Sequence, residues 1–351
     1  MTNLNNQTMY NKINFAQNSE KYFQKEHLKS KSSGLGFYLF TYYLAMNAVV
    51  IAVTVFFTVV YILQGRDTDY VMDKLTDSGS ALMHFMTIIS AVSAAVIPGL
   101  FYLKLSKNHI SDCLKTKFVK PTLFLPFLFL GMAVSMVANA STDIVAYNFS
   151  LFGLENNLDM SSSSSSLFCN ILYVISTAVT PAFAEEFAFR GILLGVLRKY
   201  GDSFAIIVSA IMFGAMHGNI IQIPFAFMLG LIFGYITCKT NSIFPAITIH
   251  FINNFYAVIL DILQTEGIVN ESTFYLLYYI LIFLFCILGV VSLFIILKKD
   301  KNFLAISDNS NIVSLSLKEK VRTFMTSPGV LICFPFYLMT TIMFLLPTSQ
   351  V

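Results

Sequence analysis

Three short segments in the second half of the chain carry the side chains that a hydrolase needs. The first has two adjacent carboxylates and an arginine, the second a histidine, and the third a histidine with an asparagine one helical turn later. A carboxylate and an imidazole can take a proton from water, and N–H donors can stabilise the oxyanion formed when water attacks a carbonyl. These residue types favour the hydrolysis of a peptide bond. The residues are Glu185, Glu186, Arg190, Phe213, His217, His250 and Asn254.

The first segment separates two neighbouring glutamates by helix rotation. On a helix Glu186 and Arg190 are four residues apart and can pair on one face. Glu185 points about 100° away and stays available for chemistry. The alternative interpretation is a charge cluster that ends a membrane span.

The second and third segments bring polar groups to apolar helices. Phe213 lies one turn before His217, and His250 lies one turn before Asn254, so each pair shares a helix face. His250 and Asn254 could both donate to one bound oxygen. Alternatively, His217 has only a structural role and the third segment is polar glue between membrane helices.

The composition requires a bilayer as the solvent. Of 351 residues, 56% are hydrophobic and 12% are charged, against roughly 25% charged in an ordinary globular chain, and the mean hydropathy is +0.71. A net charge of +3 gives no indication of a nucleic-acid partner. The five scattered cysteines indicate neither a disulfide framework nor a structural zinc site.

Apolar runs predict an all-α, polytopic transmembrane bundle of about eight to nine spans with its site in a membrane cavity. The fifth and sixth runs are shorter than the roughly 20 residues that cross the hydrocarbon unaided, so we expect them to pack inside the bundle. The nine runs are 35–63, 81–103, 121–140, 167–185, 204–219, 223–238, 243–263, 273–297 and 329–347.

Alternate loops hold most of the basic residues. Of 22 lysines and arginines, 19 fall in the stretches 1–33, 104–120, 198–199, 239 and 298–327. The positive-inside rule therefore predicts a multi-pass protein of the cell membrane with a cytosolic N-terminus. The predicted organisation is a polar segment (1–33), a transmembrane domain (34–297) with its core at about 168–265, a cytosolic basic linker (298–327) and a last span (328–351).

Helix length predicts that the three segments meet. Glu185 and His217 are each 16 residues from a turn at Gly201, which places both about 24 Å along their helices at ~1.5 Å per residue. His250, ten residues beyond Thr240, lies roughly 15 Å along its own helix. A single helix over 167–199 would be nearly 50 Å long, so we expect Pro181 to break it. We also expect the site to open to the cytosol.

Taken in order, these motifs resemble those of the CPBP intramembrane proteases, also called the CAAX prenyl protease 2 or Abi family. The resemblance covers about 168–265 and implies that Glu185 and His217 activate water while His250 and Asn254 form the oxyanion hole. It also implies that Glu186 and Arg190 hold the structure, with Phe213 in support. The implied substrate is a membrane-associated peptide or protein. The Lys- and Asn-rich composition favours a bacterial source, and bacterial members are linked to bacteriocin immunity.

Three other interpretations remain at the level of sequence. One is a proton-coupled transporter, although no repeated hydropathy half is visible. Another is a membrane immunity or scaffold protein that kept the motifs but binds without cutting. The third is a zinc site built from Glu185, His217 and His250. Because there is no HExxH pair and Asn254 is a poor zinc ligand, we expect an enzyme without metal or other cofactor.

Overall fold

The computed structural model describes residues 2–151, 164, 166–301, 303, 305–306 and 315–343, with side chains from Phe15 onward except at 16 and 17. Among these residues it is all-helical, with an isolated β-bridge between Thr116 and Ser242. The helices are α1 (Thr2–Leu63), α2 (Thr68–Thr76), α3 (Ala81–Ser106), α4 (Ile110–Cys113), α5 (Pro121–Ser150), α6 (Leu167–Tyr200), α7 (Asp202–Met216), α8 (Gln222–Thr240), α9 (Phe244–Thr265), α10 (Glu271–Lys299), α11 (Leu317–Met325) and α12 (Pro328–Met343).

The fold confirms the predicted polytopic bundle. Within the described part of the chain, seven helices are long and apolar enough to cross a membrane, or eight if α11 and α12, bent by 71°, form one span. The fifth predicted span is α7, an apolar helix of only 15 residues. The predicted boundary at residue 33 falls inside α1. The predicted basic linker and last span lie partly outside the described residues.

Helix α6 does not break at Pro181, so that prediction is wrong. The chain stays helical from Leu167 to Tyr200, with π-helical turns at Ile175–Val179 and Phe187–Leu193. A proline lacks the N–H that would bond the carbonyl four residues earlier. The wider turn just before Pro181 accommodates the ring without ending the helix. Glu185 and Glu186 therefore belong to the same helix as the residues on both sides of Pro181.

The loops rich in lysine and arginine meet at one end of the bundle, which we call the basic end. Contacts there join stretches that are far apart in sequence, as the charge pattern predicts for loops on one side of a membrane. They are Arg198 Nη1 to Asn241 Oδ1 (2.9 Å), Lys199 Nζ to Asn108 Oδ1 (3.4 Å), Ile243 N to Lys115 O (2.8 Å), Tyr200 Oη with His27 Nδ1 (3.0 Å), Lys239 Nζ to Ala305 O (2.7 Å), and the ion pair of Lys21 with Glu319 (2.7 Å).

Small residues let the central helices approach closely. Helix α8 packs against both α7 and α5. A Cβ atom on Gly230 of α8 would lie 2.7 Å from the Cα of Ala210 on α7, so the contact requires glycine there. Close backbone approach of this kind is the usual way in which membrane helices pack. This packing places the end of α7, which His217 follows, beside the beginning of α8.

Candidate active site in a membrane cavity

The two glutamates of α6 have different surroundings. Glu186 and Arg190 are completely buried, and Arg190 Nη1 donates to Glu186 Oε1 at 2.8 Å. The side chain of Glu185 is 19% exposed. The predicted pairing of Glu186 with Arg190 is therefore confirmed. One carboxylate serves a buried ion pair, and its neighbour is accessible.

Aromatic rings enclose the Arg190 guanidinium. Its Cζ atom lies 4.2 Å from the ring centroid of Phe213 and 5.1 Å from that of Phe233. A cation over an aromatic face is attracted by the ring quadrupole, most strongly when water is excluded. Phe213 also packs edge-on against both histidines, with ring centroids 5.0 Å from His217 and 6.2 Å from His250. Phe213 thus connects the buried pair to the imidazoles.

His250 lies between the two glutamates. Its Nδ1 is 3.0 Å from Glu186 Oε1, and its Nε2 is 3.9 Å from Glu185 Oε2. Because an ionised carboxylate only accepts, Nδ1 carries the hydrogen in the contact with Glu186. Glu186 therefore orients His250 as well as pairing with Arg190, a second role that the four-residue spacing did not reveal.

His217 directly follows the last residue of α7. Its Nδ1 is 2.8 Å from the carbonyl oxygen of Phe213, which can only accept, so Nδ1 carries the hydrogen. In the neutral ring Nε2 then has a free lone pair. The side chain is half-buried beside the cavity described next. His217 is thus able to accept a proton from a cavity water.

Asn254 is held by two amide contacts. Its Nδ2 donates to the carbonyl oxygen of Thr177 at 3.0 Å, and its Oδ1 accepts from Asn253 Nδ2 at 3.1 Å. Asn139 of α5 donates to both Asn253 Oδ1 (3.1 Å) and the Tyr256 hydroxyl (2.6 Å). The sequence-based reasoning missed Asn139. Its only signal was an asparagine inside an apolar run.

A cavity of about 410 Å³ joins these groups. Most of the lining residues lie on the halves of their helices that are farther from the basic end, whereas His250 lies near the start of α9. Glu186 and Arg190 lie nearer than Glu185 to the basic end along α6. The expected opening of the site to the cytosol stays a prediction. The lining includes Asn139 and Thr142 on α5, Tyr173, Thr177, Pro181 and Glu185 on α6, Phe213 and His217, Gln222, Phe225 and Leu229 on α8, and His250, Asn253, Asn254 and Asp261 on α9.

The structure brings the seven residues of the sequence prediction into this one region. Glu185, Phe213, His217, His250 and Asn254 line the cavity, whereas Glu186 and Arg190 are sealed behind it. Among the residues that the structure describes, no group of three or more His, Cys, Asp or Glu side chains has a metal-binding arrangement. The metal independence of the site stays a prediction.

Comparisons with known proteins point to a class of membrane peptidase. Residues 167–256 match the family model described as "Type II CAAX prenyl endopeptidase Rce1-like". This match confirms the resemblance that the three motifs indicated, over the segment that contains all of them. The chain is a multi-pass membrane protein whose core resembles this class of enzyme.

A particular relative is the Bacillus subtilis (strain 168) protein named "Putative membrane peptidase YdiL". It is 25% identical over 104 residues, which cover 29% of this chain and 42% of that protein. The matched region thus spans less than half the length of the curated relative. No solved structure shows a significant match to the chain.

Proposed function

We propose that the protein is an intramembrane endopeptidase that hydrolyses a peptide bond of a membrane-associated protein or peptide. The observation that carries the proposal is the pair of adjacent glutamates, one sealed against Arg190 and the other facing the cavity beside His250. An accessible carboxylate beside one imidazole, in a cavity that a second imidazole also lines, fits a general base better than a structural charge. The match to CAAX-type endopeptidases supports the same chemistry.

The first step is activation of a water molecule. Glu185 and His217 line the same cavity, and each has an atom that can accept a proton from water. The water oxygen attacks the carbonyl carbon of the peptide, and the proton goes to the base. The peptide bond breaks when the leaving nitrogen receives a proton, which the same acid–base pair returns.

The oxyanion formed by this attack requires donors fixed in place. Asn254 uses one Nδ2 hydrogen on Thr177 and has its second for the substrate oxygen. His250 donates through Nε2 only as an imidazolium, because its Nδ1 hydrogen is used on Glu186. A donor of this kind contributes about 10²–10³-fold to the rate.

Two non-catalytic functions are less well supported. A transporter requires a path for its cargo between the two sides, but Glu186 and Arg190, which follow Glu185 on the way to the basic end, are completely buried. An immunity or scaffold protein that only binds does not need a partly exposed carboxylate in a cavity that two oriented imidazoles also line. We therefore favour hydrolysis.

The decisive experiment compares wild type with Glu185→Gln in liposomes that contain a library of membrane-anchored peptides. In H₂¹⁸O, mass spectrometry should find new C-termini that carry ¹⁸O with the wild type alone. Ser135→Ala, a buried polar change on α5 outside the cavity lining, is the matched control and should cleave like wild type. Identical products from wild type and Glu185→Gln would refute the proposal.

We further propose, on the charge pattern of the loops, that the basic end faces the cytosol. In a variant without native cysteines, single cysteines at Ser111 and Asp202 should react with an impermeant maleimide only after permeabilisation. A cysteine at Thr265 should react in intact cells. The reverse pattern would invert the orientation.

The proposed mechanism uses no metal. Cleavage should therefore persist after prolonged treatment with EDTA and phenanthroline. If chelators abolished cleavage and zinc alone restored it, His217 and His250 would be ligands and the proposed roles of both would be wrong.

A further inference from the structure

The asparagines beside the cavity form a directional relay. The contacts run from Asn139 on α5 to Asn253 and from Asn253 to Asn254, which reaches the carbonyl of Thr177 on α6. Each link is an amide–amide or amide–carbonyl hydrogen bond of 3.0 or 3.1 Å. The relay therefore joins three helices that line the cavity.

The backbone carbonyl at the end of the relay fixes the direction of every amide. A carbonyl oxygen only accepts, so Asn254 must turn its Nδ2 toward Thr177 and its Oδ1 toward Asn253. Asn253 must then donate with Nδ2 and present its Oδ1 to Asn139, which must also donate. No amide in the relay can flip without placing two acceptors or two donors face to face.

The carbonyl at the end of the relay belongs to the π-helical turn Ile175–Val179, four residues before Pro181. It accepts from the Asn254 amide at 3.0 Å. This turn therefore contains the acceptor from which the relay takes its direction.

We infer that Asn139 is a positioning residue that holds the Asn254 amide with its second N–H toward the substrate carbonyl. This inference rests on the proposed peptidase function. Asn139 lies on α5, outside the 167–256 segment that matches the peptidase family. The second N–H of the Asn139 amide donates to the hydroxyl of Tyr256 on α9, and this bond anchors the Asn139 side chain to α9.

The test is Asn139→Asp, which keeps the size of the side chain but replaces both N–H donors with an acceptor. Asn253 then turns its Nδ2 toward the new carboxylate on α5 and its Oδ1 toward Asn254. Two acceptor oxygens then face each other, so the Asn254 amide no longer keeps its orientation. The substrate is a library peptide that wild type cleaves, and we expect the single-turnover rate to fall by about tenfold or more. This loss is smaller than the roughly 10²–10³-fold expected for removing an oxyanion donor, because the donor is misoriented and not removed. Ser135→Ala should stay within about twofold of wild type.

A double variant separates positioning from a merely structural role. In an Asn254→Ala background, Asn139→Asp should cause no further loss, because the group that it orients is already absent. Equal losses in both backgrounds, or wild-type activity of Asn139→Asp, would overturn the inference. If Asn139→Asp does not fold, Asn253→Asp breaks the next link and is measured in the same way.

The same experiment distinguishes failure of the proposed peptidase function from failure of the inference about Asn139. If wild type leaves every peptide intact, the peptidase function fails and the relay has no catalytic role. If wild type cleaves and Asn139→Asp equals Ser135→Ala, only the relay is refuted.

Discussion

Two sides of α6 have different surroundings although their glutamates are consecutive. We call the side with Glu186 the sealed side and the side with Glu185 the open side. On the sealed side Glu186 and Arg190 are fully buried, and the rings of Phe213 and Phe233 cover the guanidinium. On the open side Glu185 is partly exposed to a cavity that contains His217 and Asn254. The same side-chain type thus has a structural environment at one position and a reactive one at the next.

The difference shows how a membrane helix can hold a reactive carboxylate. An ionised group in an apolar bundle is costly unless it is paired or hydrated. Glu186 satisfies the condition by pairing, and Glu185 by facing a cavity. His250 contacts both glutamates, so the sealed side fixes an imidazole for use on the open side.

The largest expected effect comes from breaking the sealed side. Glu186→Ala leaves the Arg190 charge buried without its partner, which should destabilise the protein by about 3–5 kcal/mol. We expect a large loss of folded protein, measured by monodisperse yield in detergent and by thermal unfolding. The control Glu186→Gln/Arg190→Met removes both charges and should recover yield relative to Glu186→Ala. Equal yields of wild type and Glu186→Ala would contradict the structural role.

A matched substitution on the open side should separate activity from stability. Glu185→Gln removes the proposed base and should lower the cleavage rate by about 10²–10⁴-fold while unfolding stays within about 1 kcal/mol of wild type. Glu186→Gln, the same change one residue later, should instead lower the unfolding temperature. If the two variants exchange these phenotypes, the roles of the glutamates are reversed.

Phe213 contacts both sides, so its truncation should affect both properties moderately. Phe213→Leu removes the ring over Arg190, with a stability loss of about 2 kcal/mol for a desolvated contact. It also frees both imidazoles to shift, and activity should fall by about ten- to a hundred-fold. Thermal unfolding and the cleavage rate of one preparation measure the two effects. A change in only one of them would show that the two sides are independent.

The smallest effect is expected at the basic end, far from both sides of α6. Lys21 and the Ser316 backbone and hydroxyl lower the pKa of Glu319 from its ordinary value of 4.5 to about 2. The stabilisation is therefore present above pH 4.5 and is lost as the pH falls toward 2. Glu319→Gln should lower the unfolding temperature only slightly at pH 7, because the pair is exposed, and the difference from wild type should shrink below pH 4.5. A difference that grows on acidification would contradict this assignment.

The amino-acid sequence determined the class of fold and the faces of the helices. Apolar run length requires membrane helices, and the alternation of basic loops predicted which loops would meet, as the contacts at the basic end show. The pairing of Glu186 with Arg190 followed from four-residue spacing alone. These features depend on periodicity and composition along one chain, so they need no knowledge of neighbouring helices.

Only the tertiary structure decided what those faces meet. The contact of His250 with Glu186 joins residues 64 apart, and the bond from Asn139 to Asn253 spans 114 residues. The continuity of α6 through Pro181 and the cavity between the helices likewise depend on packing. Spacing fixes the direction of a side chain around its own helix axis, but the partner, the cavity and the direction in which it opens depend on how separate helices are placed against one another.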